Sequence, residues 1–145
     1  MRMTKASSDA SAEQGALLLL ESALALAAAR LLVLVVPFRL YSRVMGSDAE
    51  SSQDATAPDV VHRVSRALES VSRHVPWRSK CLEQALAAKA MLRHRGISNT
   101  LYVAVAREVA LEAHAWLRSG DVCVTGQAEF DRYTVVARFA DEGRR

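Results

Sequence analysis

Gly96 divides the chain into two patterns, and this change of period constrains the fold more than any other feature. Before it, apolar residues recur at helical spacing. "DVVHRVSRALESVSRHV" sets Val60, Val64, Leu68, Val71 and Val75 on one face, with Asp59 as N-cap and Pro76 as the stop. "SKCLEQALAAKAMLRHRG" then reads as an alanine-rich helix that begins near Cys81. After Gly96 the apolar residues alternate. "SNTLYVAVAR" alternates Leu101, Val103 and Val105 with Tyr102, Ala104 and Ala106, and "LEAHAWLR" sets His114, Trp116 and Arg118 against Ala113, Ala115 and Leu117. "SGD" at 119–121 is a tight-turn signal, and "VCVTG" and "RYTVVARF" supply two more short strands. Helices followed by strands predict an α+β domain, with helices packed on an antiparallel sheet.

The N-terminal third carries "GALLLLESALALAAARLLVLVVP", which approaches bilayer length. Glu21 and Arg30 interrupt it, and a charge at a bilayer centre costs about 2.5–3.5 kcal/mol on insertion scales, so membrane contact is not favoured. The leader "MRMTKASSDASAEQ" is too long and mixed in charge for a secretory signal. The expectation is a buried helix over 12–36, capped by Ser11 with Gln14 three residues on and followed by Pro37. "FRLYSRVMG" should fold back as a second helix, turning Phe38, Leu40, Tyr41 and Val44 inward and Arg39 and Arg43 to water. "GSDAESSQDATAP" has the composition of a linker. The expected organisation is a helical segment over 1–45, a linker over 46–58 and a core over 59–145.

Nineteen basic and sixteen acidic residues leave a net charge of +3, with no run of five like charges and 6% aromatics, which disfavours nucleic acid as a partner. Cys81 and Cys123 lie far apart without metal-ligand spacing. That pattern disfavours a disulfide framework and a structural metal, and it fits a reducing cytoplasm.

Cys81 stands where the positive end of a helix dipole, together with Arg78 and Lys80, favours a thiolate. Taken alone it reads either as a buried apolar filler or as a nucleophile. His114 on its strand is either structural or a base, and a base needs a third group to orient it. Hairpin register supplies candidates. A Gly120–Asp121 loop sets His114 opposite Gln127, and a Ser119–Gly120 loop sets it opposite Thr125. Asp121 in the turn and Asp131 beyond the strand are the acidic rivals. Trp77 either lines a cleft beside Cys81 or caps the core, and Trp116 on the His114 face is placed to shield the imidazole. A zinc site from Cys81, His114 and Cys123 lacks a fourth ligand.

"PWRSKCLEQALAAKAMLRHRGISNTLYVAVAR" followed by "AHAWLRSGDVCVTG" resembles the leader peptidases of lasso-peptide biosynthesis, a bacterial family with a transglutaminase-like, papain-like cysteine protease core. "LLLLESALALAAARLLVLVVPFRLYSRVMG" is similar to the helical segment before that core. The resemblance implies a Cys-His-Asp triad, in which Cys81 and His114 match. Where its aspartate is expected the chain reads "VTGQAEFD", so Gln127 becomes the expected third member, with Asp131, Thr125 and Asp121 as rivals. The implied function is cytoplasmic removal of the leader from a lasso-peptide precursor, without a cofactor, before a separate ATP-dependent cyclase closes the macrolactam. A winged-helix-like leader-binding domain is not found in these residues, so a separate leader-binding protein is the expected partner beside the precursor peptide. A transglutaminase-like acyltransferase and a non-catalytic peptide-binding module are the alternatives.

Overall fold

The computed structural model describes residues 3–48, 57–107, 110–127 and 130–143. Helix α1 (Met3–Val35) leads into a short α2 (Phe38–Tyr41) and a 3-10 turn, then α3 (Pro58–Ser72) and α4 (Cys81–His94). Four strands follow: β1 (Asn99–Arg107), β2 (Leu111–Ser119), β3 (Val122–Thr125) and β4 (Thr134–Asp141). They form one antiparallel sheet in the order β3-β2-β1-β4, so the fold is α+β as the change of period predicts.

The main core lies between the helices and one face of the sheet. Leu26 and Ala29 of α1, Val61, Val64 and Leu68 of α3, and Ala85, Ala88 and Leu92 of α4 meet Leu101, Ala115, Leu117 and Val124. The other face of the sheet carries Tyr102, Ala104 and Trp116, covered by Tyr133 and Val135. In α3, Pro58 occupies the first turn after an N-cap at Ala57, and Asp59 lies inside that turn, where its charge suits the helix dipole, instead of capping. Helix α4 ends in a Schellman motif: Gly96 has φ +68°, its N–H donates to Arg93 O, and Ile97 N–H donates to Leu92 O. That turn sends the chain directly into β1. The buried Lys89 ammonium donates to Asn99 Oδ1 and Phe139 O, both at 3.0 Å, and pairs with Asp141 at 2.9 Å, which locks α4 onto β1 and β4. Burial pushes the Lys89 pKa down, with Asp141 opposing.

The N-terminal region differs from expectation in three ways. Helix α1 starts at Met3, and Ser11 sits inside it, because the Ala, Lys, Glu and Gln of "KASSDASAEQGA" carry enough helix propensity to extend it. Only one of its faces is buried, through Ser22, Leu26 and Ala29, while Leu17, Leu20, Leu24, Leu31 and Leu34 stay exposed. After Pro37, Tyr41 and Met45 enter the core, whereas Phe38, Leu40 and Val44 remain largely exposed, with Arg39 and Arg43 in water. Phe38 packs edge-on against Tyr41 and Phe139. Ser47 pairs with Ala140 as an isolated bridge, and residues 49–56 of the expected linker lie outside the described residues.

Candidate active site

Cys81 is the first residue of α4 and is half-buried. The chain enters it extended, with Lys80 at ψ 159°. Glu83 is fully buried and holds this entry from both sides: one carboxylate oxygen accepts the Lys80 N–H at 3.3 Å and the other accepts Arg30 Nη1 of α1 at 2.8 Å. The Gln84 side chain donates to Ser79 O and its backbone N–H to Lys80 O, both at 3.1 Å. The two peptide groups that lead into Cys81 are therefore held by Glu83 and Gln84, and the Glu83 carboxylate is itself tied to another helix.

His114 lies on β2 opposite Ala104, half-buried between Trp116 and Tyr133, with ring centroids at 5.9 and 5.0 Å. Trp116 is buried and stacks on Tyr102 at 5.3 Å, so it walls one side of the imidazole. Nε2 of His114 lies 3.0 Å from Gly126 O. A carbonyl only accepts, so the bond requires the proton on Nε2 and leaves the lone pair on Nδ1.

The acceptor differs from every side chain expected for it. Ser119 pairs with Val122 across a Gly120–Asp121 loop, but a bulge between Leu117 and Arg118 then shifts the register so that Leu117 faces Thr125. Beyond Thr125 the ladder ends, and Gly126 crosses back over β2 with φ +75°. A Cβ there would lie 2.5 Å from Ala115 O and 2.8 Å from Trp116 Cβ, so only glycine fits. Gln127 is exposed beside this crossing, Thr125 is buried, Asp121 is exposed in the hairpin turn and Asp131 is exposed in a short 3-10 helix (Phe130–Arg132). None of the four bonds to His114.

Tyr133 borders the histidine side of the site. Its ring lies against His114. Partial burial and the nearby Glu112 carboxylate raise its pKa, with Arg132 opposing, so the phenol stays neutral. Cys81 packs against the main core from the start of α4, and among the described residues no hydrogen bond joins the thiol to the imidazole directly. Tyr133 was unmarked in the sequence, where it opens a strand. Glu83 did carry a signal, the spacing of a helix-start carboxylate three residues after Lys80.

A groove of about 460 Å³ runs past Gly126 and Gln127, bounded by Ser65 and Glu69 of α3, Gln84 of α4 and Cys123 of β3. Cys123 pairs opposite Arg118, its thiol donates to Thr125 O at 3.3 Å, and burial pushes its pKa up with Arg118 partly offsetting. Trp77 is half-buried against the main core. Among the described residues no group of three or more His, Cys, Asp or Glu could hold a metal ion.

A helix-start cysteine and a strand histidine with its Nδ1 lone pair free are the groups that acyl transfer through a thioester uses. Neither a curated protein nor a solved structure matches the chain. The model of the transglutaminase-like superfamily matches residues 23–138, from the middle of α1 to the end of the sheet and across both Cys81 and His114, and the chain belongs to that superfamily.

Proposed function

We propose that the protein is a cysteine peptidase that removes the leader from a lasso-peptide precursor. The observation that supports the chemistry is the His114–Gly126 bond, which leaves the Nδ1 lone pair free for base chemistry, beside the placement of the Cys81 thiol at a helix N-terminus. Nδ1 takes the Cys81 proton, and the thiolate attacks the scissile carbonyl. The free N–H groups of Cys81 and Leu82 at the start of α4 receive the oxyanion, and the imidazolium returns its proton to the leaving amine. Water, activated by the same Nδ1, then hydrolyses the thioester. Gly126 O takes the part of the third triad member by holding the Nε2 proton through the cycle. The choice of precursor rests on the resemblance of "SKCLEQALAAKAMLRHRG" and "AHAWLRSGD" to lasso leader peptidases, with a separate leader-binding protein presenting the substrate and the cyclase consuming the product.

The test is cleavage of the cognate precursor by the protein together with its leader-binding partner, read by mass spectrometry. Cys81→Ala should abolish cleavage while leaving the circular dichroism spectrum unchanged, and retained cleavage would end the proposal. A core peptide with a free N-terminal amine marks hydrolysis, whereas a product carrying an added amine would assign the site to an acyltransferase.

A further inference from the structure

Between Gln14 and Phe38 helix α1 has two charged side chains, and both turn toward α4. Glu21 accepts Arg95 Nη1 and Nη2 at 2.6 Å, and Arg30 donates to buried Glu83 at 2.8 Å. These pairs flank the outward face and leave it without a charge. Along that face Leu17, Leu24 and Leu31 recur every seven residues, as do Leu20, Ala27 and Leu34, which is the a/d spacing of a helix–helix seam. The five leucines are 58–63% exposed. With neighbouring exposed Ala28 and Val35 they form one continuous uncharged apolar strip, and a patch of this kind on a soluble domain marks an interaction surface.

We infer that this face is the interface of a homodimer in which two α1 helices pack antiparallel. The seam is self-complementary in that direction: Leu17 meets Leu34, Leu20 meets Leu31, and Leu24 meets the small Ala27 of the second copy at the centre, where the backbones approach most closely. Charge selects the same direction. Exposed Asp9 and Glu13 lie near one end of the seam and exposed Arg39 and Arg43 just past the other, so an antiparallel pair sets acid against base, whereas a parallel pair sets like against like. The two-fold relation closes the assembly at two copies. Although Ala6–Val35 is long and apolar enough to cross a membrane, the two ion pairs to α4 hold the helix on the domain.

Sedimentation velocity of the full chain at micromolar concentration tests this. The wild type should sediment at about twice its 15.8 kDa mass. Leu24→Glu with Leu31→Glu should sediment as a folded monomer, because both positions face water in the free protein. Glu13→Arg should weaken the dimer at least several-fold, with recovery when Arg39→Glu is added. A monomeric wild type, a dimer indifferent to the leucine substitutions, or co-flotation of the wild type with anionic phospholipid vesicles as a monomer would each overturn the inference. A dimer-deficient variant that still cleaves precursor leaves the peptidase reading intact, so the two proposals fail separately.

Discussion

His114 keeps its proton on the nitrogen that faces a main-chain carbonyl, and this arrangement depends on a single residue, Gly126. Gly126→Ala would put a side chain on a backbone at φ +75° and drive its Cβ to 2.5 Å from Ala115 O. The left-handed conformation costs a non-glycine residue about 1–2 kcal/mol, and relief of the overlap must move the carbonyl that orients the imidazole. The expected outcome is a stability loss of about 2 kcal/mol or more in urea unfolding and a fall in kcat of roughly 100-fold, since a base in the wrong tautomer is a poor one. Gln127→Ala leaves the carbonyl in place and should change kcat less than about threefold under the same assay. At this scale Cys81 and His114 were legible, because a helix start and a strand alternation mark them. The acceptor was not, because it is a backbone group whose position depends on a one-residue bulge that side-chain patterns do not encode. Cys123 supplies a further check. Burial pushes its thiol pKa up, with Arg118 partly offsetting, so in Cys81→Ala protein the remaining alkylation should be slower at neutral pH than that of a free cysteine and should still be rising with pH where a free cysteine levels off, and rapid reaction at neutral pH would contradict the burial.

Helix α4 is aimed by its neighbours as much as by its own sequence. Glu83 cannot sit fully buried as a carboxylate without Arg30, and its second oxygen holds the Lys80 N–H one residue before the thiol. Arg30→Met strands that charge. Loss of one partner of a buried pair costs about 3–5 kcal/mol, and Arg30 is 30% exposed, so a loss near 2–3 kcal/mol is expected. Because the entry to α4 shifts with it, kcat should fall more than KM rises. Adding Glu83→Gln removes the stranded charge and should recover part of the stability, giving a coupling energy of at least about 1 kcal/mol in the double-mutant cycle. Additive effects would show that Glu83 does not respond to Arg30. Helix α3 was legible because it has a single buried face with a clear period, α4 because helix-forming residues fill the stretch between Cys81 and Gly96, and the strands because residues alternate after Gly96. The start of α1 was not, since propensity without an apolar stripe carries the helix nine residues beyond its expected start at residue 12, back to Met3.

In the molecule as a whole, α1 belongs to the same core as the site, for its buried face meets α3 and α4 and its two charges close onto α4. Sequence showed those charges interrupting an apolar run. Their direction was not legible, because apolar residues on both faces leave no periodic sign of which side is inside. The consequence can be read from pH. Hydrogen bonds from Arg95 hold the Glu21 pKa below 4.5, with burial opposing and the charges of Arg95 and His94 adding to the depression. A carboxylate whose folded-state pKa is depressed stabilises the fold at pH above its unfolded value and loses that contribution as pH falls through the folded one. Glu21 and Arg95 are both partly exposed, so solvent screening limits the pair to well under about 1 kcal/mol. Urea unfolding of wild type and Glu21→Gln should therefore differ by a small constant amount from neutral pH down to about pH 5, and the two should converge as pH falls toward 3. Amide exchange should place the acid-sensitive part in α1, where Glu21 is the carboxylate on the docked face. A difference that stays constant through the acid limb would mean that the Glu21 carboxylate does not secure the helix, and that the apolar contacts of Leu26 and Ala29 with the Arg30–Glu83 pair hold it alone.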